Sequence, residues 1–542
     1  MRVSEAFTPK LITAFREGYS RADLRADLIA GLTVAVVALP LAMALGIASG
    51  ASPREGLVTA VVAGFLISAL GGSRVQIGGP TGAFVVIVAG VIALHGFNGL
   101  LLATLIAGVI LIVAGYAGVG RLMRYVPMPV VTGFTAGIAV IIATSQVGDF
   151  LGLRTGPVPI DFIDKWGVYL RTLGTFNAAT VGLGAATLAL IILLRRFVPG
   201  FPAYLIAIVA AAAAAVLFHL PVQTVGDRFP SMPSGLPLPH LPHISLALTR
   251  EVMPSAFVIA FLAGIEALLS ATVADGMTGR RHRSGQELVG MGVANIFSAF
   301  GGLPATGAIA RTATNIRAGA KSPMAGMFHA LFLLAFILVA GKWLALVPMT
   351  ALAAVLLMVA WGMSEYDRFV ALVRTDAGER GILLLTFLLT VFVDLTVAIG
   401  VGVTLAALLF MMRMSETAGL VAVDPDEEPE LRNRLPAGVE VLRFSGPMFF
   451  GIASEMLEAL RRTGQRPRAI ILRMEQVPYI DATGANALAT FARQAKHLGT
   501  DVWLVGLHDQ PREFLARFEP RFAGARRASS WAAVLKRFEQ VA

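Results

Sequence analysis

The chain has 542 residues, 56% of them hydrophobic and 14% charged, with a mean hydropathy of +0.74. A soluble protein of this length cannot cover so much apolar material, so the composition excludes an ordinary globular domain and points to many membrane spans. Cysteine is absent, which excludes disulfides and thiolate metal sites; the net charge of +10 lies mostly in short links between apolar runs, where it reports topology rather than a nucleic-acid surface.

Residues 1–27 read as an amphipathic segment at the cytoplasmic surface, too polar for a cleaved signal peptide. Residues 28–414 read as a transmembrane domain. A helix needs about 20 apolar residues to cross the hydrocarbon. With short runs included, about fourteen segments are expected, near 28–48, 54–70, 81–94, 98–118, 127–148, 176–195, 202–219, 252–275, 285–300, 307–319, 322–341, 344–361, 378–395 and 396–414. With the N-terminus inside, the cytoplasmic links carry Arg74, Arg121, Arg124, Arg195, Arg196, Arg280, Arg281, Arg283, Lys321, Arg368, Arg374 and Arg380. The opposite links are nearly uncharged, apart from 149–175 and the Pro-rich 220–250. This positive-inside pattern predicts a multi-pass protein of the cell's inner (plasma) membrane with both termini cytoplasmic.

Residues 415–436 are acidic and Pro-containing and read as a linker; residues 437–542 read as a small cytoplasmic α/β domain. "GVEVLRF", "RAIILRM" and "DVWLVGL" are expected strands, and "SEMLEALRRTG", "ATGANALATFARQAKHLG" and "SSWAAVLKRFEQ" expected helices.

One phrase occurs twice. "GGPTGA" begins at Gly78 and "GGLPATGA" at Gly301, 223 residues apart; "VPMP" at Val126 and "VPMT" at Val347 are 221 apart. Two matches at nearly one offset predict an internal repeat, one half at about 28–220 and the other at about 250–414. Seven spans separate the copies, and seven is odd, so the second half enters from the opposite side. The expected fold is polytopic α-helical, two inverted seven-span repeats followed by the α/β domain.

Gly and Pro in each phrase break a helix, and only about 14 and 12 apolar residues follow, roughly 20 Å of helix, too short to cross a ~30 Å core. Each copy therefore reads as an extended stretch leading into a half-helix, the two N-termini facing each other near the midplane. N-terminal N–H groups and about half a positive charge at each end attract an anion. Gly79, Gly82, Gly302 and Gly307 admit a ligand to the backbone, and Thr81 and Thr306 add hydroxyls. The alternative, kinks packed by their neighbours, is weakened by recurrence at a matched offset.

Glu266 falls in the middle of the eighth span, with Ser270 one turn on. A carboxylate there requires a proton, a cation or a partner: it is either a coupling site for H+ or Na+ or the mate of a nearby arginine. Arg311, one turn into the second half-helix, either holds the anion or faces the cytoplasmic exit. Asn295 reads as an interhelical hydrogen bond. His240 and His243 lack a carboxylate or Cys partner, so no metal site is expected. No Ser-His-Asp or paired-carboxylate arrangement occurs in the spans, and no catalysis and no cofactor beyond the coupling ion are expected.

These segments resemble the sulfate permease family of anion transporters: "GGPTGAFVVIVAG", "FLAGIEALLSATVADG" and "GVANIFSAFGGLPATGAIARTATNIRAGAKSP" look like its signatures, and "VPYIDATGANAL" looks like the signature loop of a STAS domain. The resemblance implies a core unit of spans 1–4 and 8–11 moving against a gate unit of spans 5–7 and 12–14, elevator-like alternating access, and a homodimer in membrane lipid. It places the anion at Thr81, Gly82, Ala83, Gly307, Ala308 and Arg311, with Glu266 at the ion-linked position. Leu41 and Ala310 depart from a Gln and a Ser common in the family, which leaves more of the binding to backbone N–H groups and keeps bicarbonate, sulfate and dicarboxylates open. In related soluble domains a hydroxyl at the Thr483 position is phosphorylated, which offers a regulatory site and a cytoplasmic partner; Asp481 capping the next helix is the plainer reading. The expected function is secondary transport of a small inorganic or organic anion with H+ or Na+. A membrane sensor signalling through the STAS domain and a nucleobase permease of similar fold are the alternatives.

Overall fold

The computed structural model of the chain describes residues 6–121, 127–198, 202–230, 241–416, 419–422, 438–449, 467–517, 525–528, 533–534 and 536. The chain divides into two compact units, Met1–Thr404 and Leu405–Ala542. Val126, Arg124, His240, most of the expected linker and the expected helix at 454–464 lie outside the described residues, as does most of the one at 529–540.

In the first unit, α1 (Lys10–Arg16) precedes α2 (Arg21–Ala48) and α3 (Pro53–Leu70). Capping boxes start both long helices, Ser20 with Asp23 and Ser52 with Glu55, and Pro53 occupies the first turn of α3, where its missing N–H is not needed. Then come β1 (Gly78–Gly79), one 3-10 turn (Gly82–Phe84), α4 (Val85–Tyr116), α5 (Met128–Ser145), α6 (Val147–Leu151), α7 (Phe162–Thr172), α8 (Ala178–Phe197) and α9 (Ala203–Leu217). The second half holds α10 (Leu246–Thr278), α11 (Ser284–Ser298), β2 (Thr306–Gly307), α12 (Ile309–Arg317), α13 (Met324–Leu344), α14 (Met349–Met363), α15 (Tyr366–Val373), α16 (Ala377–Phe392) and α17 (Leu395–Glu416).

Among the described residues nine helices are long and apolar enough to cross a membrane. The other expected segments are the part of α4 beyond Gly96 and the shorter α9, α11, α12 and α16. Gly96 sits at φ 67, ψ 179, a conformation open to glycine and strained for other residues, and it divides α4 in the gap expected between 94 and 98. The first long helix starts at Arg21 rather than at 28, because its charged first turns fold as helix before the apolar run begins. The link 149–175 is not a plain loop. It folds into α7, which exposes Ile163 and Leu170 and packs Phe162 edge-on against Phe392.

The halves interlock in matching ways. Helix α13 packs on α2, and α4 packs on α10; α13 also packs on α3, and α4 on α11. Pro127 and Pro348, from the repeated "VPM", stand at the same place, each the N-cap of the next helix, α5 and α14. Helices α2, α3, α4 and α10–α13 form one bundle, and α5, α8, α9, α14 and α16 another. Small residues bring the first bundle's helices together: a Cβ on Gly292 would fall 2.5 Å from the Gly108 carbonyl oxygen, and one on Gly115 would fall 2.8 Å from the Gly285 carbonyl. In lipid this close packing carries helix association, because apolar burial alone does not distinguish helix from tail.

The second unit has a five-stranded sheet in the order β3 (Gly419–Ala422), β4 (Val439–Ser445), β5 (Ala469–Gln476), β6 (Asp501–Val505), β7 (Ala525–Ala528). The first pair is antiparallel and the others parallel. Alternate residues feed two cores: Phe444, Ile470, Leu472 and Leu504 meet Leu488 and Phe491 of α18 (Ala482–His497) and Leu515 of α19 (Asp509–Arg517), while Val441, Ile471, Trp503 and Val505 line the other face. The three expected strands and the helix at 482–499 are present. Strand β3 falls inside the stretch expected as linker, where four residues are too few to show a period.

Replacing Gly292 with Val should destabilise the α4–α11 contact by about 1–3 kcal/mol. In detergent, the variant should lose its monodisperse size-exclusion peak at a temperature at which the parent keeps it.

Candidate functional site

The two repeated phrases meet. Gly78 pairs with Gly307 and Gly79 with Thr306 in a two-residue antiparallel ladder, and the Ala308 N–H donates to the Ile77 carbonyl at 2.8 Å. Extended backbone inside a membrane protein must be satisfied by protein, and here each phrase satisfies the other. The lead-in to β1 is stitched to α12: the Ile77 N–H donates to Thr312 Oγ1 at 3.0 Å and Asn315 Nδ2 to the Val75 carbonyl at 2.8 Å. The lead-in to β2 is held by Asn295, which donates to the Ala305 carbonyl and accepts from its N–H, both at 2.9 Å; Asn295 thus clamps the loop that precedes β2.

Two helices leave this ladder in opposite chain directions. Thr81 is the N-cap residue before the 3-10 turn into α4, and Ala308 is the N-cap of α12; neither start carries a side-chain cap. First-turn N–H groups are therefore left open at both ends, with the positive pole of each helix beside them. Ala310 is exposed in the first turn of α12.

Around these ends stand the charged residues. Thr81 Oγ1 donates to Glu266 Oε2 at 2.9 Å, so α10 carries its carboxylate to the first helix start. Ser270, one turn along, is fully buried and donates to Thr312 Oγ1 at 3.1 Å, tying α10 to the second half-helix. Arg311 is 3% exposed and turns back toward the ladder, where Nη2 donates to the Pro80 carbonyl at 2.5 Å. Glu266 and Arg311 lie close enough to attract one another electrostatically. Thr306 Oγ1 donates to the Ala263 carbonyl at 2.8 Å, so its proton is already committed.

The glycines are needed for space. Gly79 has φ +143, and a Cβ there would lie 2.7 Å from Arg311 Nη1. A Cβ on Gly307 would lie 1.8 Å from Gln76 Nε2, and one on Gly82 would lie 2.4 Å from Met363 Sδ and 3.4 Å from Ile142 Cδ1. Gly82 thus faces the end of α14 and the side of α5, so the first helix start abuts the second bundle. Ala83 and Ala308 are buried beside it.

Several residues escape sequence reading. Gln76 is 4% exposed with both amide atoms unpartnered among the described residues, as are both ring nitrogens of buried His329. Asp27 is fully buried and accepts from the N–H groups of Lys321 and Ser322 and the hydroxyls of Tyr19 and Ser322. Glu287, also buried, accepts from the N–H groups of Gly72 and Ser73. These two carboxylates fasten turns in place of the missing backbone partners, and a lone acidic residue near a span end gives no signal for that role.

In the second unit Asp481 caps α18, its Oδ1 accepting from the Gly484 N–H at 2.7 Å, and Thr483 is exposed in that helix's first turn. Among the described residues no group of His, Asp and Glu is arranged to hold a metal ion.

Gly307→Ala should reduce solute flux about tenfold, because the new methyl displaces the Gln76 amide and shifts the ladder. Adding Gln76→Ala should restore most of it. Flux measured per folded molecule checks this, and no recovery in the double variant would locate the defect elsewhere.

Comparison with known proteins places this arrangement. Residues 24–386 match the sulfate permease family and residues 431–520 match the STAS domain. "Putative sulfate transporter YvdB" of Bacillus subtilis is 40% identical over 474 residues, covering 86% of this chain and 88% of that one. The bicarbonate transporter BicA of Picosynechococcus sp. is 31% identical over 496 residues, covering 87% of each. Among solved structures, murine solute carrier 26 family member A9, captured inward-facing, superposes with a TM-score of 0.86 at 19% identity, covering 100% of this chain and 95% of that one, which shows the fold. The transmembrane domain of a cyanobacterial BicA superposes with a TM-score of 0.63 at 30% identity, covering 70% of this chain and 99% of that one. The relatives are transporters and not enzymes, and the chain, two interlocked repeats whose helix starts meet inside the membrane followed by a STAS domain, belongs to the sulfate permease family of anion transporters.

Proposed function

We propose that the protein is a secondary active transporter that moves a small oxyanion, bicarbonate or sulfate, with a dicarboxylate as the third candidate, by elevator-like alternating access coupled to H+ or Na+. One observation carries the reading: two uncapped helix starts are held together by the Gly78–Gly79/Thr306–Gly307 ladder, with Glu266 bonded to Thr81 beside them. An anion between the starts accepts from open N–H groups at Gly82, Ala83, Ile309 and Ala310, while Arg311 adds positive charge from behind the ladder. Thr81 then touches both the anion and Glu266, which links substrate to coupling ion.

The ladder belongs to the first bundle, and Gly82 lies against Met363 and Ile142 of the second. Sliding of the first bundle past the second carries the whole site with it, since every residue named above except these two lies on the moving body. The charge of the links favours an inner-membrane protein with cytoplasmic termini, working as a homodimer. Thr483, exposed beside the α18 N-terminus, is where a phosphate or a cytoplasmic partner would act on the STAS domain. Membership of the sulfate permease family sets the nucleobase reading aside.

Radiolabelled uptake into proteoliposomes tests the proposal, with sulfate, bicarbonate and fumarate offered under imposed Na+ or H+ gradients. One anion should accumulate, driven by one gradient. No uptake by demonstrably folded protein would favour the sensor reading instead. Glu266→Gln should keep anion exchange but reduce gradient stimulation at least about fivefold; undiminished stimulation would remove Glu266 from the coupling role.

A further inference from the structure

The two helix starts are not alike. Ala310, in the first turn of α12, is exposed, whereas Gly82, Ala83 and Phe84 are all buried. The second bundle supplies part of the cover over the first start: a Cβ on Gly82 would collide with Met363 Sδ and would lie 3.4 Å from both Met363 Cε and Ile142 Cδ1. In a helical turn the Cα–Cβ direction tilts toward the N-terminus, the side to which the open N–H groups also point. The thioether and the isoleucine therefore lean over the first start, and neither side chain has a hydrogen to donate to an anion there.

Met363 is held in that place by the way its helix ends. It is the last residue of α14, and two residues on Glu365 sits at φ 41, ψ 45. Among the described residues only Glu365 and His219 have positive φ without being glycine. This left-handed conformation strains a residue with a side chain and persists only where its surroundings fix it. Here they do: both Glu365 carboxylate oxygens accept from Arg368 Nη1 at 3.0 Å, its carbonyl accepts from the Phe369 N–H at 3.0 Å, and the Trp361 and Tyr366 rings stack across the break at 5.8 Å. Gly362 and Ser364 on either side are small, so Met363 is the long side chain at that point of the helix.

Such a wall discriminates by shape. The lone pairs of an sp2 oxygen lie near the plane of its group, so a planar oxyanion such as bicarbonate turns its face to the thioether and keeps its oxygens for N–H donors. A tetrahedral oxyanion such as sulfate points oxygens to every side, and one that meets the wall loses its hydration without gaining a bond. We propose that Met363 is a specificity-determining residue: its side chain, placed by the left-handed break at Glu365, makes the anion site select planar oxyanions over tetrahedral ones. The inference deepens the transport reading and rests on it.

The test uses the full-length protein in proteoliposomes, with uptake of radiolabelled bicarbonate at alkaline pH as the signal. Two monovalent competitors separate shape from charge: planar nitrate and tetrahedral perchlorate. The parent should need about tenfold more perchlorate than nitrate for half-inhibition. Met363→Gln, which keeps the length and adds a donor, and Met363→Ala, which removes the wall, should each bring that ratio to about twofold or below; Met363→Leu should keep it. Glu365→Val and Glu365→Gly both lose the ion pair with Arg368, but only glycine holds the left-handed turn without strain. The ratio should therefore fall in the first and hold in the second, a comparison that reads the same effect if the Met363 variants fold poorly. A ratio unchanged in Met363→Gln and Met363→Ala, or a parent that prefers perchlorate, would overturn the proposal. Uptake of sulfate but not bicarbonate by the parent would overturn it and leave the transport reading standing; uptake of neither would remove both.

Discussion

Backbone that leaves a helix inside a membrane has to find hydrogen bonds in the protein, and the organisation of the first unit follows from how the two repeated phrases meet that demand. Gly78 and Gly79 pair with Gly307 and Thr306, and what the pairing leaves over is used at once: Thr312 and Asn315 take the lead-in of one phrase, and Asn295 takes that of the other. The N–H groups still open are those at the two helix starts. The proposed anion site is thus the part of the backbone that the ladder cannot satisfy, and it follows from the same pairing that makes two half-helices possible.

The ladder also explains why glycine recurs at these positions. Gly307 admits the Gln76 amide and Gly79 admits the Arg311 guanidinium; a side chain at either place would displace that group. Arg311 then returns the favour by donating to the Pro80 carbonyl, which proline leaves as its only backbone polar group. Close approach between helices elsewhere has the same origin, as at Gly108 and Gly292.

The repeat, the half-helices and the position of Glu266 were legible because each is written in local signals: a duplicated phrase, a short apolar run, one carboxylate in the middle of a span. The break at Gly96 was legible for the same reason, as a gap between two runs. Partners far apart in sequence were not. Nothing local connects Thr81 to Glu266, 185 residues away, and the pairing of Ser270 with Thr312 needs the crossing of α10 and α12. Asp27 and Glu287 drew no reading from the sequence, yet both are buried, because turn N–H groups that lack backbone acceptors take a carboxylate in their place. Strand β3 was hidden because a four-residue edge strand takes its stability from β4, not from its own composition.

Charge decides what the proposed site can carry. With Glu266 ionised, it and Arg311 cancel, and each helix start contributes about half a positive charge, so the empty site holds roughly one positive charge in an environment that penalises any excess. A monovalent anion such as bicarbonate brings the total near zero. A divalent anion such as sulfate leaves about one negative charge, which a proton or Na+ at Glu266 removes. On the proposed mechanism, coupling through Glu266 would be obligatory for sulfate and optional for bicarbonate. Ala310, in the first turn of α12, sharpens the difference, because without a polar side chain there a second negative charge on the proposed anion has chiefly the backbone dipoles and a co-transported cation to balance it. The identity of the anion and the need for a coupling ion are one electrostatic question.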